Sequence, residues 1–119
     1  MIKGIDHVQL AIPVGGENKA RAFYQDVLGL AEVPKPADMA GRGGCWFENE
    51  AVKVHVGVEL DFRPAQKAHP AFLVTDLDPI ISVLRDGGWA VKRDSGLDQY
   101  RRIFTEDPFG NRIELMQRL

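Results

Sequence analysis

The C-terminal stretch of the chain reads DPFGNRIELM, residues 107–116. Its first half contains the proline, glycine and asparagine that are typical of a tight turn. Its second half alternates apolar and polar side chains, which indicates a half-buried strand. Ile113 and Leu115 would face the core, so Glu114 would lie on the opposite face of the sheet. That face must line a cavity or meet water, and Glu114 is therefore a candidate site residue.

The elements that lead to this strand occur twice along the chain. Each half reads strand, helix and three strands by its hydrophobic period and its glycine and proline breaks. In the first half the strands are predicted at 5–13, 30–33, 44–48 and 52–58, with a helix over 17–28. In the second half they are predicted at 69–74, 89–92, 101–105 and 112–117, with a helix over 76–87. The sequence therefore predicts an α+β fold in a single domain. Two tandem βαβββ modules, residues 1–60 and 68–119, are joined by the linker 61–67 and form a curved mixed sheet.

The chain has only three histidines, and each lies on a predicted strand. His7 and His69 lie on the first strand of each module, and His55 and Glu114 lie on the last. Three imidazoles and one carboxylate are enough to hold a divalent metal ion. Their matching positions predict one metal site, on a pseudo-twofold axis, for iron, manganese, nickel, cobalt or zinc.

The amino-acid composition indicates which classes of binding partner to expect. The 119 residues include 15 basic and 17 acidic side chains, a formal net charge of −2, which gives no reason to expect nucleic acid or a membrane. Cys45 is the only cysteine, so no disulfide can form within the chain, as suits a reducing cytosol. No apolar run is long enough for a signal peptide or a transmembrane helix. We therefore expect a cytoplasmic protein with a small-molecule substrate.

Four segments resemble a known superfamily, the vicinal oxygen chelate metalloproteins. They read IDHVQLA (5–11), AFYQDVLGL (22–30), GCWF (44–47) and DPFGNRIEL (107–115). The superfamily includes glyoxalase I, fosfomycin-resistance enzymes, extradiol dioxygenases and bleomycin-binding proteins. The resemblance covers nearly the whole chain, and it implies paired βαβββ modules whose curved sheet cups a divalent metal.

The resemblance also implies roles for the four donors. His7, His69 and Glu114 match the His/His/Glu ligands of the fosfomycin enzymes and the dioxygenases. His55 stands where glyoxalase I places a carboxylate ligand, so the ligand set has one negative charge fewer and the metal would be more Lewis-acidic. Glu114 could also act as the general base, as glyoxalase glutamates do.

Other residues are candidates for binding the substrate. Gln9 shares the face of His7, while Lys53 and Arg102 would turn toward the cup and favour an anionic substrate. Phe104 falls where the fosfomycin enzymes place a cavity tyrosine. Cys45 is interpreted as a packed small side chain rather than a nucleophile.

The favoured interpretation is a divalent-metal-dependent, glyoxalase-like lyase or isomerase acting on a small, oxygenated, anionic substrate that the metal chelates. An extradiol-type dioxygenase, a fosfomycin-type resistance transferase and a drug- or metabolite-binding resistance protein remain alternatives. Members of the superfamily commonly complete their cups by dimerising, so we expect a homodimer. The four ligands could come from one chain or from two.

Overall fold

Each half of the chain forms its own four-stranded sheet with one helix. The computed structural model describes residues 1–119 and divides into two units, Met1–Arg63 and Pro64–Leu119. The boundary between the units falls within the segment predicted as the linker. No helix is long and apolar enough to cross a membrane.

The first unit contains β1 (Val8–Ile12), α1 (Glu17–Ala20), β2 (Ala31–Val33), β3 (Cys45–Glu48) and β4 (Lys53–Val58). Its strand order is β1-β4-β3-β2. β1 runs parallel to β4, and the other neighbours are antiparallel.

The second unit repeats this plan. It contains β5 (Ala71–Leu73), α2 (Leu77–Asp86), β6 (Lys92–Asp94), β7 (Tyr100–Glu106) and β8 (Arg112–Arg118). The strand order is β5-β8-β7-β6, with β5 parallel to β8 and the other pairs antiparallel. The predicted α+β class with paired βαβββ modules is confirmed, and the strands form two open sheets.

One face of each sheet is apolar and buried. In the first unit the buried side chains are those of Leu10, Ile12, Phe23, Tyr24, Phe47, Val54 and Val56. In the second they are those of Leu77, Ile81, Leu84, Ile103, Ile113 and Leu115. Because strand side chains alternate between faces, this core fixes which residues point the other way. His55 and Glu114 lie between buried neighbours on β4 and β8 and therefore project from the opposite face.

The first helix differs from the predicted helix over 17–28. After α1 the chain widens into a π-helical turn, Arg21–Gln25, in which the Asp26 N–H bonds to the Arg21 carbonyl at 3.2 Å. The turn ends at Gly29, whose φ of 79° is in the left-handed region that glycine tolerates. The wider turn belongs to the segment that buries Phe23 and Tyr24 completely.

The first strand of each unit is shorter than predicted, so His7 and His69 precede the strands rather than lie in them. β1 begins at Val8, which lies opposite Val54 of β4. Before β4 the chain turns at Asn49, whose side chain accepts hydrogen bonds from the next residues. In the second unit Pro70 has no N–H to donate, and β5 begins after it at Ala71.

The strand predicted at 89–92 is also misplaced, because β6 is formed by Lys92–Asp94. The Trp89 N–H bonds back to the Leu84 carbonyl at 2.8 Å and closes the end of α2. Its backbone is therefore engaged with the helix rather than with a sheet.

The turn at the start of residues 107–116 is buried and is held by hydrogen bonds. Asp107 accepts hydrogen bonds from the backbone of Phe109 and Asn111, each at 2.9 Å. The Asn111 side chain accepts a bond from the Ala65 N–H at 2.9 Å, and the Arg112 N–H bonds to the Ala65 carbonyl at 2.8 Å. The turn therefore fixes the segment that leads into β5, and with it the position of His69.

Candidate metal centre

In the first unit His55 is held between two other rings. It is only 6% exposed, and its strand register places Gln9 and Trp46 on either side of it. The Trp46 ring stacks on the His55 ring, with centroids 3.9 Å apart and planes 3° apart. The sequence analysis assigned Trp46 no role, although the apolar Cys45 and Phe47 beside it indicate that it faces the same side as His55.

His7 stacks on the same imidazole. The ring centroids of His7 and His55 are 4.2 Å apart and the planes differ by 17°. His7 Nδ1 lies 2.9 Å from Asp6 Oδ2, an arrangement that leaves Nε2 free to bind a ligand. A carboxylate that holds the second ring nitrogen is the usual companion of a metal-binding histidine. Its hydrogen bond to His7, and next the charge of Lys53, lower the pKa of Asp6.

The surroundings of His55 favour its neutral form. Burial is the main cause that lowers the pKa of His55, and the nearby His7 adds to the effect. A metal ion binds the neutral imidazole, so a lowered pKa keeps the nitrogen lone pair available at neutral pH.

A cavity of about 310 Å³ opens beside these rings in the first unit. Gln9, Lys53, Trp46 and the two histidines are among the residues that line it. The Gln9 side chain crosses Gly57 so closely that a Cβ there would lie 2.6 Å from Gln9 Nε2. The structure thus brings together all four site residues predicted in this half, which are His7, Gln9, Lys53 and His55.

In the second unit His69 faces a buried carboxylate. His69 Nε2 lies 2.9 Å from Glu114 Oε1, and Nδ1 lies 2.9 Å from the Lys67 carbonyl. Glu114 is 4% exposed, and its backbone N–H bonds to the Pro70 carbonyl at 3.0 Å, which keeps the two residues adjacent. Both ring nitrogens thus lie next to oxygen atoms, and His69 and Glu114 form a close imidazole–carboxylate pair.

The spacing of this pair fits adjacent ligands on one metal ion. Two donors that are each about 2.1 Å from an ion, at right angles to each other, lie about 3.0 Å apart. The observed distance of 2.9 Å between Nε2 and Oε1 matches that value. An imidazole nitrogen beside a carboxylate oxygen is also a donor set that manganese, iron, cobalt, nickel and zinc accept.

Arg102 and Phe104 frame the Glu114 carboxylate. Arg102 Nη1 donates to Glu114 Oε2 at 3.2 Å, and Arg102 Nη2 lies 3.3 Å from Asp94 Oδ1. The Phe104 ring meets His69 edge-on, with centroids 5.5 Å apart. The four site residues predicted in this half, His69, Arg102, Phe104 and Glu114, therefore also lie together.

The guanidinium of Arg112 lies over the Phe104 ring, 4.0 Å from its centroid. The sequence placed Arg112 on the face of Glu114 but assigned it no function. Its cation–π contact makes it a further positive group on this face of the sheet.

Neither unit by itself gathers three or more histidine, cysteine, aspartate or glutamate side chains that could hold a metal ion. Each instead contributes a pair, His7 with His55 and His69 with Glu114. His55 pairs in register with Trp46 as Glu114 pairs with Phe104, so His55 and Glu114 occupy equivalent strands. We call them the first and the second half-site.

Cys45 belongs to neither half-site. It is buried in β3. Burial raises the pKa of the Cys45 thiol to about 11, so it is protonated at neutral pH. A protonated, buried thiol is not a nucleophile.

Comparison with known proteins identifies relatives of this fold. A family model described as the Glyoxalase/Bleomycin resistance protein/Dioxygenase superfamily matches residues 4–115. A crystal structure of a glyoxalase family protein from Bacillus anthracis is 47% identical, with a TM-score of 0.96, and the match covers 100% of this chain and 98% of that one. A comparison with curated protein sequences gives no match.

More distant structures share the fold. A glyoxalase/dioxygenase from Nostoc punctiforme is 20% identical with a TM-score of 0.79, over 98% of this chain and 92% of that one. A mutant of the fosfomycin resistance protein FosX from Listeria monocytogenes, complexed with Mn(II) and 1S,2S-dihydroxypropylphosphonic acid, is 19% identical. Its TM-score is 0.82, over 100% of this chain and 95% of that one.

Proposed function

The chain belongs to the Glyoxalase/Bleomycin resistance protein/Dioxygenase superfamily, and from that premise we propose that it is a divalent-metal-dependent enzyme of the glyoxalase type. It would act as a lyase or isomerase on a small, oxygenated, anionic substrate. His7 and His55 of the first half-site and His69 and Glu114 of the second would hold the ion together. When bound, a divalent ion acts as a Lewis acid toward substrate oxygens and stabilises negative charge that develops on them.

The observation that carries the proposal is the pair His69 and Glu114. A buried carboxylate oxygen lies 2.9 Å from an imidazole nitrogen whose ring is oriented by a carbonyl at its other nitrogen, and this supports two adjacent ligands of one ion. The first half-site supports it, because Asp6 orients His7 and burial keeps His55 neutral.

Glu114 would supply acid–base chemistry as well as binding. It is the only anionic group among the four donors, and Oε1 is the oxygen that faces His69. A carboxylate within reach of a substrate C–H or O–H can take a proton there and return it at a neighbouring atom. Arg102 keeps the second oxygen engaged, so Oε1 would take the two roles in turn, as a ligand in the resting state and as the base after it shifts.

Charge and space favour a small anionic substrate. Lys53 lines the cavity of about 310 Å³ in the first unit, and Arg112 lies over Phe104 in the second. The FosX structure contains Mn(II) and a phosphonate that carries vicinal hydroxyl groups, a ligand of this chemical class. It makes manganese the first ion to test and makes fosfomycin-type chemistry the second candidate function.

The test is metal-dependent turnover. Metal-free protein would be reconstituted with Mn, Fe, Co, Ni or Zn and assayed against dicarbonyls, hydroxy acids, catechols and epoxide phosphonates. We expect conversion of a dicarbonyl or hydroxy acid. Glu114→Gln should abolish this conversion. Glu59→Gln, the same change at an exposed position, should leave it intact. Ring cleavage of a catechol or opening of an epoxide would assign the protein to another branch. Tight binding of a compound without turnover would indicate a binding protein.

We further propose that the protein is a homodimer, and a mixing experiment asks which chains share a site. One variant carries His7→Ala with His55→Ala, and the other carries His69→Ala with Glu114→Ala. If the half-sites of two chains combine, each mixed dimer regains one complete site, and metal binding returns after the variants are unfolded and refolded together. If both half-sites of one chain combine, the mixture stays without metal. A monomer by light scattering would refute the dimer.

A further inference from the structure

The Arg102 guanidinium joins two carboxylates in the second unit, Glu114 and Asp94. We propose that Arg102 is a positioning residue, which fixes the metal-binding oxygen of Glu114. The inference rests on the proposed function, because it concerns how the second half-site presents its carboxylate. It adds a role in shaping the ligand set to the substrate-binding role expected from the sequence.

Three adjacent strands, β6, β7 and β8, place Asp94, Arg102 and Glu114 next to one another. Asp94 on β6 is directly opposite Arg102 on β7, and Arg102 is opposite Met116 on β8. Glu114 is two residues before Met116, so it is the diagonal neighbour of Arg102 on the same face, within reach of a long side chain. Arg102 therefore reaches Asp94 on one side and Glu114 on the other.

Asp94 is itself fixed, so it anchors the guanidinium. Asp94 Oδ1 accepts a hydrogen bond from the Gly96 N–H at 2.9 Å and lies 3.3 Å from Arg102 Nη2. The arginine fork is planar and rigid, so its orientation is set once one arm is held. The other arm, Nη1, is then directed at Glu114 Oε2, 3.2 Å away.

Both ends of the Arg102 fork are already engaged within the protein. Nη1 and Nη2 each face a carboxylate, and Nε is buried without a partner. The side chain is 19% exposed, so an incoming anion would compete with Glu114 and Asp94 for the guanidinium.

The consequence for Glu114 is that its two oxygens have separate roles. Oε2 is held by Arg102, and Oε1 faces His69 Nε2 at 2.9 Å. Glu114 would therefore offer the ion a single oxygen in a fixed direction. Without the guanidinium the carboxylate could rotate about its terminal bond, and the spacing that suits adjacent ligands would no longer be maintained.

The experiment compares Arg102→Met and Arg102→Lys with Arg101→Met. Arg101 is the matched control because it is on the same strand, faces the other side and pairs with the exposed Asp78. Mn(II) affinity would be measured by calorimetric titration, the Mn(II) environment by electron paramagnetic resonance, and the melting temperature on metal-free protein. We expect Arg102→Met to weaken Mn(II) binding about 10- to 100-fold and to change the Mn(II) spectrum, as for other groups that orient a metal ligand. Arg101→Met should bind as the wild type does.

Arg102→Lys separates positioning from folding. Lysine keeps the charge but cannot bridge Glu114 and Asp94, so its Mn(II) affinity should stay below that of the wild type even where its melting temperature recovers. Affinity that follows melting temperature through all the variants would overturn the inference, as would wild-type affinity in Arg102→Met. If the wild-type protein binds no divalent ion, the proposed function itself fails.

Discussion

The two half-sites lie at equivalent places in two similar sheets, but different contacts hold their donors in position. In the first unit His55 is held by ring stacking, between Trp46 at 3.9 Å and His7 at 4.2 Å. In the second unit Glu114 accepts a hydrogen bond from Arg102 at 3.2 Å and lies 2.9 Å from His69 Nε2. One backbone plan therefore supports a pair of imidazoles in one unit and an imidazole with a carboxylate in the other.

The difference extends to the residues around the donors. Gly44 lies two residues before Trp46, as Arg102 lies two residues before Phe104. Gly57 lies two residues after His55, as Met116 lies two residues after Glu114. Gly57 gives Gln9 room to lie over the sheet, since a Cβ there would lie 2.6 Å from the Gln9 amide nitrogen. The first half-site is thus open toward its cavity, whereas the Arg102 guanidinium contacts the carboxylate of the second.

The largest expected effect comes from removing the one charged donor. Glu114→Gln keeps the shape of the side chain but removes the only negative charge among the four proposed ligands. We expect affinity for Mn(II) to fall by more than about 100-fold, because groups that only orient a ligand already contribute 10- to 100-fold. Calorimetric titration measures the loss, with Glu59→Gln as the control. Unchanged binding would exclude Glu114 as a ligand.

The next prediction separates the two histidines of the first half-site. His7→Ala and His55→Ala should both abolish metal binding, but only His55→Ala should destabilise the metal-free protein. His55 is 6% exposed and stacked on both faces, whereas the His7 side chain is 41% exposed. We expect His55→Ala to lower the free energy of unfolding by about 1–3 kcal/mol, measured by urea unfolding. Equal stability of the two variants would contradict the stacking account.

A smaller effect is expected at Asp6, which holds His7 Nδ1 at 2.9 Å. Asp6→Asn removes the carboxylate that orients the ring but leaves the ring in place. Mn(II) affinity should fall about 10-fold, less than on loss of either histidine, with no change in folding because Asp6 is exposed. The exposed Asp38→Asn is the control. An affinity equal to that of the wild type would show that His7 needs no such partner.

The smallest effect is expected at Cys45, outside both half-sites. Burial raises the pKa of the thiol from 9.0 to about 11, so the buried thiol resists ionisation. Its contribution to stability is complete below about pH 9 and is lost as the pH rises through about 11, because the unfolded thiol ionises first. At pH 8 a thiol reagent should react slowly with the native protein and rapidly in urea, and Cys45→Ala should bind Mn(II) normally. Fast labelling of the native protein would contradict this.

The sequence was sufficient for the fold and for which residues share a face. Alternation around Val54 and Val56, and around Ile113 and Leu115, placed His55 and Glu114 correctly because the core side of a strand is readable from its apolar residues. The strand ends were less predictable. β1 begins only at Val8, and β5 begins only after Pro70, which has no N–H to donate. His7 and His69 therefore lie just outside strands in which they were predicted.

The contacts around the donors could not be predicted from the sequence. The stack of Trp46 on His55 depends on the register of β3 against β4, and the bridge from Asp94 through Arg102 depends on three strands in register at once. Periodicity identifies the face of a strand but not the residue across from it. The substrate-binding role of Arg102 stays a prediction, and the structure adds its hydrogen bond to Glu114 and its ion pair with Asp94.

The central claim is that the two half-sites hold one ion jointly, and Mn(II) stoichiometry tests it most directly. Metal-free wild type would be titrated beside the variant with His7→Ala and His55→Ala and the variant with His69→Ala and Glu114→Ala. The account predicts one tightly bound ion per chain in the wild type and none in either double variant. A double variant that still binds one ion with wild-type affinity would show that a single half-site suffices and would contradict the account.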